Sequence, residues 1–409
     1  MCKYHEAYLD LKKSLDINPD YGSAVLEFTI VKRIIDGHYE SKGIGSLILY
    51  NELQDIKVLN EGGFGEIFQA TWVNNLGVER KVALKYLKSS KGLSVDIVNE
   101  LRVFIFKLFV LFFTIFKFSF SYSNKQLIPF EITRSDDYIL NYYGLTEILE
   151  LNKIYIVMEH AKGGSLFDSL SKSYKDIPWQ KKLTRLQSII KGLAQIHERG
   201  LIHRDLHSKN ILICKNEDKE LIKIGDLGLT IFADTKVSKN TIYGMLHYTD
   251  PVVFDEKPYS QQSDVYSFGI IMAEMSNGQS AFNDYKCCSD TELARRIFFG
   301  LRPKFADGTP KCYVELAKQC MDLDPQKRPT AKDICLKIEK MCEIIKSEKI
   351  DDIKMEFLNA DQLIKSLPDT LPEYLDSNSR SITIILSKYL DSSHCFETNF
   401  ANFLKEEYS

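Results

Sequence analysis

The sequence predicts an α+β fold, strand-rich first and helix-rich second, with a short α-helical hairpin ahead of both. Three observations carry this expectation. From Gln54 onward short apolar stretches alternate with glycine turns, whereas beyond Ile177 the apolar positions recur at helical spacing. Over residues 1–42, Ala7, Leu11 and Leu15 share a helical face, Asn18-Pro19-Asp20 breaks the chain, and Ala24 to Ile35 starts a second helix. The 409 residues suffice for two or three modules, and 44% hydrophobic with 27% charged residues excludes wholesale disorder, collagen and coiled coil.

Charge and cysteine usage narrow the function classes. Lys+Arg 53 against Asp+Glu 56 leaves a net charge of −3, which carries no nucleic-acid footprint. The nine cysteines include no C-x-x-C pair and one adjacent pair, Cys287 and Cys288, so they read as free thiols in a reducing, cytoplasmic setting. The opening MCKYHEAYLDLKKSLD is amphipathic and charged rather than apolar, against a secretory signal.

The first module is a hairpin that cannot bury its own apolar face. Tyr4, Ala7, Leu11 and Pro19 resemble the second half of a tetratricopeptide repeat, and AVLEFTIVKRIIDGHY a degraded first half. That resemblance implies a protein partner for these helices, although a stack needs about three repeats to be a competent module.

The next segment, L-N-E-G-G-F-G-E-I-F at residues 59–68, lets backbone N–H groups approach phosphate oxygens without Cβ interference. W-V-N-N-L-G then turns the chain into KVALKYL, whose Lys85 can neutralise phosphate charge. Glu100, after the helical stretch SVDIVNEL, is a candidate ion-pair partner for Lys85.

Ile202-His203-Arg204-Asp205-Leu206-His207-Ser208-Lys209-Asn210 follows the apolar-periodic LQSIIKGLAQIHERG, which Gly200 closes. Ile224-Gly225-Asp226-Leu227-Gly228 comes next. An Asp that orients a hydroxyl, an Asn five residues on and a second Asp before Gly are what magnesium-dependent phosphoryl transfer requires, because Mg²⁺ takes hard oxygen ligands.

With these motifs in order, residues 50–341 resemble the eukaryotic protein kinases, and look closest to the tyrosine-kinase-like group of fungal type. I-Y-I-V-M-E-H-A-K-G-G-S-L, D-V-Y-S-F-G and D-P-Q-K-R-P-T support it. The resemblance implies a bilobal fold with ATP and Mg in the cleft and a protein substrate. Asn60, Gly62, Gly65 and Ile67 would cover the nucleotide, with Ala83 and Leu212 sandwiching adenine. Met158 would be gatekeeper, and Glu159 to Ala161 the hinge. Lys85, held by Glu100, would bind phosphates. Asp205 would be the base, Lys209 a phosphate contact, Asn210 and Asp226 the metal ligands, and Asp264 a brace beneath the catalytic loop. Ser238, Thr241 and Tyr243 are candidate phosphosites, with Arg204 their receiver.

Departures from the pattern matter. Asn60 replaces the first loop glycine at mild cost, since Asn tolerates left-handed backbone. His207 stands where lysine would argue for Ser/Thr substrates and Lys209 occupies a position similar to the arginine of tyrosine kinases, so Ser/Thr is favoured on overall texture while Tyr stays open. Asp250-Pro251-Val252 replaces the family's A-P-E, whose glutamate would pair with Arg328. A buried arginine left alone costs about 3–5 kcal/mol unless Asp250 or Asp255 takes over.

Nine of the 24 phenylalanines fall from Val103 to Phe130, eight of them in an insertion spanning about 103–129. A membrane span would put Lys85 and Asp205 on opposite sides of a bilayer; a greasy docking insert and a buried extra helix are further alternatives. The favoured reading is a retained intron, because Phe, Ile, Leu, Lys, Ser and Tyr without Gly, Ala or Asp is what translated A/T-rich DNA yields. Residues 342–409 are expected to be tail, apart from one amphipathic helix in KIDDIKMEFLNADQLIKSL. The resulting expectation is an ATP-dependent protein kinase; the alternative is a nucleotide-binding pseudokinase or scaffold recruiting partners through its N-terminal helices.

Overall fold

The computed structural model describes residues 46–62, 65–73, 77–86, 138–148, 153–216, 219–233, 244–255, 257–285 and 289–366. The expected hairpin at 1–42, Glu100, the insertion at 103–129 and the phosphosite candidates lie outside these residues.

The strand-rich part is one six-stranded sheet in the order β1-β5-β6-β4-β3-β2. Its strands are β1 (Ser46–Leu47), β2 (Leu53–Gly62), β3 (Gly65–Val73), β4 (Glu79–Tyr86), β5 (Tyr142–Ile148) and β6 (Lys153–Glu159). All neighbours are antiparallel except β1 and β5. Period-two alternation sorts the side chains between two apolar faces. Val82 and Leu84 join Leu53, Ala70, Tyr155 and Val157 on one face, while Ala83 joins Ile156 and Met158 on the other. Burial on both faces is why β4 reads V-A-L without a polar break.

The helix-rich part is built on α1 (Leu166–Ser173), α2 (Trp179–Glu198), α3 (Gln261–Asn277), α4 (Asp290–Phe298), α5 (Lys311–Cys320), α6 (Ala331–Lys346) and α7 (Asp352–Ser366). Ser165 with Asp168 and Thr330 with Asp333 form capping boxes that start α1 and α6. The apolar stripe of α2, Leu183, Leu186, Ile189, Ile190, Leu193 and Ile196, faces the core. Every residue of α3 from Ser263 to Ser276 is buried, as expected of a helix at the centre of its lobe.

Two small strand pairs carry the loops between the lobes. β7 (Leu201–Ile202) pairs with β10 (Ile231–Phe232), and β8 (Ile211–Asn216) pairs with β9 (Lys219–Ile224), both antiparallel. The segment entering β5 docks on β9, where Leu140 N–H donates to Ile224 O and Ile224 N–H to Tyr138 O.

The helix expected in KIDDIKMEFLNADQLIKSL exists as α7, and it is not loose tail. Phe357 is fully buried against the Trp179 ring at 5.6 Å, so the packed unit continues past 341 to Ser366.

Val252 does not leave Arg328 alone. Asp250 takes over through a bidentate pair, Nη1 to Oδ2 at 2.6 Å and Nη2 to Oδ1 at 2.9 Å, with neither side chain exposed. The remaining arginine donors reach Asp322 O and Gln262 O, and the guanidinium stacks over Tyr266. Of the two expected substitutes it is Asp250 that serves: the carboxylate sits two residues earlier in the chain and meets the same guanidinium. Asp250→Ala strands a buried cation and is expected to cost about 3–5 kcal/mol in urea unfolding. Adding Arg328→Met should recover a large part of that loss.

Candidate active site

The catalytic loop is shaped by one buried carboxylate. Asp264, at the start of α3 and 1% exposed, accepts the backbone N–H groups of His203 and Arg204, each at 2.8 Å, and faces His197 Nε2 at 2.9 Å. These bonds hold Arg204 at φ 71°, a left-handed conformation that is uncommon for a residue with a side chain. The expected brace beneath the loop is present. The guanidinium of Arg204 stacks on Tyr259.

The reversal at Arg204 presents Asp205. Its backbone N–H donates to His203 Nδ1 at 3.3 Å, and His203 Nε2–H donates to Gly225 O at 3.1 Å, which sets the imidazole tautomer and ties the two motif loops together. Asn210 Nδ2 donates to Asp205 O at 2.9 Å and to Asp205 Oδ2 at 3.1 Å. Asp205 Oδ1 is buried and has no hydrogen-bond partner among the described residues. Gly244 keeps the space beside it open: at φ +102°, its absent Cβ would lie 3.1 Å from Arg204 O and 3.3 Å from Asp205 Oδ1.

Asn210 and Asp226 meet because β8 and β9 form a hairpin in which Ile211 faces Ile224, and Gly225 N–H donates to Asn210 O at 2.8 Å. Asp226 adopts a left-handed φ of 56° and receives Lys85 Nζ at 2.7 Å. Burial pushes the Asp226 carboxyl up, but the charge and hydrogen bond of Lys85, together with His203 and His207, leave the group below its ordinary value. The side chains remain 16% and 26% exposed, so both can still reach a ligand. An amide and a carboxylate supply hard oxygens suited to Mg²⁺, which takes its other ligands from phosphates and water. With the orphaned Asp205 oxygen beside them, these residues fit a magnesium nucleotide.

The expected adenine residues also converge. Ala83 and Met158 share a buried cluster with Leu140, Ile156 and Cys214, and Ile67, Ala161 and Leu212 pack against it. At Glu159, the first residue of the expected hinge, Oε2 accepts Asn141 Nδ2 at 2.7 Å and Lys223 Nζ at 2.8 Å. Burial first, and Glu159 second, push the Cys214 thiol up to about 12, so it is an inert wall of this slot. Asn60 pairs with Ile67, and Gly62 with Gly65, where β2 turns into β3.

Lys209 projects over the Phe167 ring at 4.7 Å. The partner foreseen for Lys85, Glu100, lies outside the described residues; among the described ones Lys85 pairs with Asp226. Sequence reasoning missed Gly244, Asn141 and Lys223. A glycine ahead of an apolar turn carried a faint signal for the first, and the other two carried none.

The family model for the protein kinase domain matches residues 129–337, just over half of the chain. The chain belongs to the protein kinase domain family. Among the relatives of this kinase chain, the serine/threonine-protein kinase fray1 of Dictyostelium discoideum is 34% identical over 46% of this chain and 33% of its own length. The serine/threonine-protein kinase Nek8 of Danio rerio is 29% identical over 48% and 27%. A longer match, 27% identical, covers 71% of this chain and 19% of a Dictyostelium discoideum protein whose name places it among serine/threonine-protein kinases. The kinase chain thus spans a third or less of each of these relatives. Among the described residues no helix is long and apolar enough to cross a membrane.

Gly244→Ala tests the geometry around Asp205. The strained φ and the two close approaches predict a loss of about 1–3 kcal/mol in chemical unfolding. Amide hydrogen exchange should accelerate over residues 203–205 in particular.

Proposed function

We propose that this chain transfers the γ-phosphoryl group of MgATP to a protein Ser or Thr hydroxyl. The observation that carries the proposal is the 2.7 Å contact between Lys85 and Asp226, because it joins the glycine-loop sheet to the metal-ligand loop across 141 positions of chain. The family match begins at residue 129 and does not include Lys85.

In this reading the apolar slot of Ile67, Ala83, Met158, Ala161 and Leu212 takes adenine and excludes water. Lys85 binds phosphate oxygens, and Asn210 and Asp226 would hold the metal. Bound Mg²⁺ supplies charge neutralisation on the phosphates. Asp205 Oδ1 accepts or orients the proton of the attacking hydroxyl, while His203, Asn210 and Asp264 fix its direction. Lys209 is assigned a phosphate contact, which requires it to leave the Phe167 face. Arg204 receives a phosphate from the segment that carries Ser238, Thr241 and Tyr243. Membership of the tyrosine-kinase-like group and a protein partner for residues 1–42 are finer parts of the same proposal, and tyrosine is the less favoured acceptor. Residues 103–129 are read as a retained intron, which sequencing of the mature transcript would refute by finding those codons in the main form.

The test is phosphate transfer from labelled MgATP to itself and to a Ser/Thr-rich acceptor protein, by the full chain and by a form lacking 103–129. Asp205→Asn is expected to reduce transfer by about 10²–10⁴-fold while nucleotide-induced thermal stabilisation persists. Nucleotide binding without turnover in either parent form would instead establish the scaffold reading.

A further inference from the structure

The position of α7 bears on how the helical lobe is held together. Two of the lobe's helices begin at prolines, Pro178 before α2 and Pro310 before α5, and neither has a side-chain cap of its own. Both first-turn donors are satisfied by α7. Asp361 Oδ1 accepts Trp179 N–H at 2.8 Å, and Glu356 Oε2 accepts Lys311 N–H at 2.7 Å. Two carboxylates on one helix thus complement the positive ends of two others.

Between those caps, α7 inserts Phe357, Ala360 and Ile364, its three buried side chains, at helix-in-groove spacing. The groove floor is aromatic: Trp179 meets Phe357 at 5.6 Å and Tyr313 at 4.8 Å, both edge-on. Lys182 is closed into the same floor. It is fully buried, its Nζ has no hydrogen-bond partner among the described residues, and it lies 4.0 Å from the Tyr174 ring centroid and 5.0 Å from that of Trp179. Burial lowers the affinity of this amine for a proton, with Asp361 of α7 as the opposing charge. The linker from α6, residues 347–350, is exposed throughout, and the family match ends at 337, short of α7.

We propose that α7 is a detachable clasp, a helical ligand carried in cis by a groove of the helical lobe, whose release uncaps α2 and α5 and uncovers Lys182. Glu356-Phe357-x-x-Ala360-Asp361-x-x-Ile364 is the recognition pattern of that ligand. The occupant is the chain's own α7, joined to Lys346 by the five residues 347–351.

Lysine labelling of the full chain reads the clasp directly, with the neighbouring Lys181, 47% exposed, as internal control. With a mild amine-reactive ester and peptide mass spectrometry, Lys181 should label at least tenfold faster than Lys182. Glu356→Ala with Asp361→Ala should bring Lys182 to within about twofold of Lys181 and speed hydrogen exchange at Trp179 and Lys311. Equal labelling of the two lysines in the wild-type chain would overturn the proposal, as would unchanged protection in the double variant. A protease site placed in 347–350 gives a second measurement on the otherwise native chain. After cutting, the fragment from 351 onward should co-elute with the rest at micromolar concentration and be released by the same two substitutions. Loss of the fragment from the cut wild-type chain, or a dimer exchanging α7 between copies, would contradict docking in cis.

Discussion

An ammonium and a carboxylate 2.7 Å apart, Lys85 and Asp226, set the terms for the rest of this molecule. The pair is partly open to solvent, where such a contact adds little to stability by itself. Its consequence is positional. Lys85 is fixed on β4 between Ile67 of β3 and Ile156 of β6, and Asp226 by the mouth of the β8–β9 hairpin, so the pair reports the relative setting of sheet and helices. Much of the described fold serves to keep two such groups facing one another and within reach of a third, the carboxylate of Asp205.

Two buried carboxylates and a partly buried one carry out that service, and each has its donors in place. Asp264 gathers two backbone amides and His197; Asp250 takes the forked guanidinium of Arg328; Glu159 accepts Asn141 and Lys223 at the hinge. A buried charge is costly unless satisfied, and when satisfied it favours one geometry over its neighbours. The strained backbone at Arg204 and Asp226 falls next to these anchors, where the surroundings can hold it.

What was legible in the sequence follows from this physics. Lys85, Asp205, Asn210 and Asp226 were readable because phosphoryl chemistry demands those residue types at local spacings. The slot proposed for adenine was readable because the resemblance carried over Ala83, Met158, Ala161 and Leu212 one by one, and the described residues bring them into one cluster. The pairing of Arg328 was half readable: Asp250 and Asp255 were both in reach, and only packing chooses between them. The caps from α7 were not readable, since Asp361 and Trp179 stand 182 positions apart and no local pattern links them. Gly244 escaped for a related reason: its role is defined by a Cβ it lacks and by a loop it approaches in space.

The most direct measurement of the central claim is a double-mutant cycle on ATP affinity, with Lys85→Met and Asp226→Asn measured alone and together by calorimetry at fixed magnesium. If both groups face the same phosphates, each substitution weakens binding and the double variant departs from additivity by about 0.5–3 kcal/mol. Strictly additive losses, or an affinity indifferent to either substitution, would contradict the account.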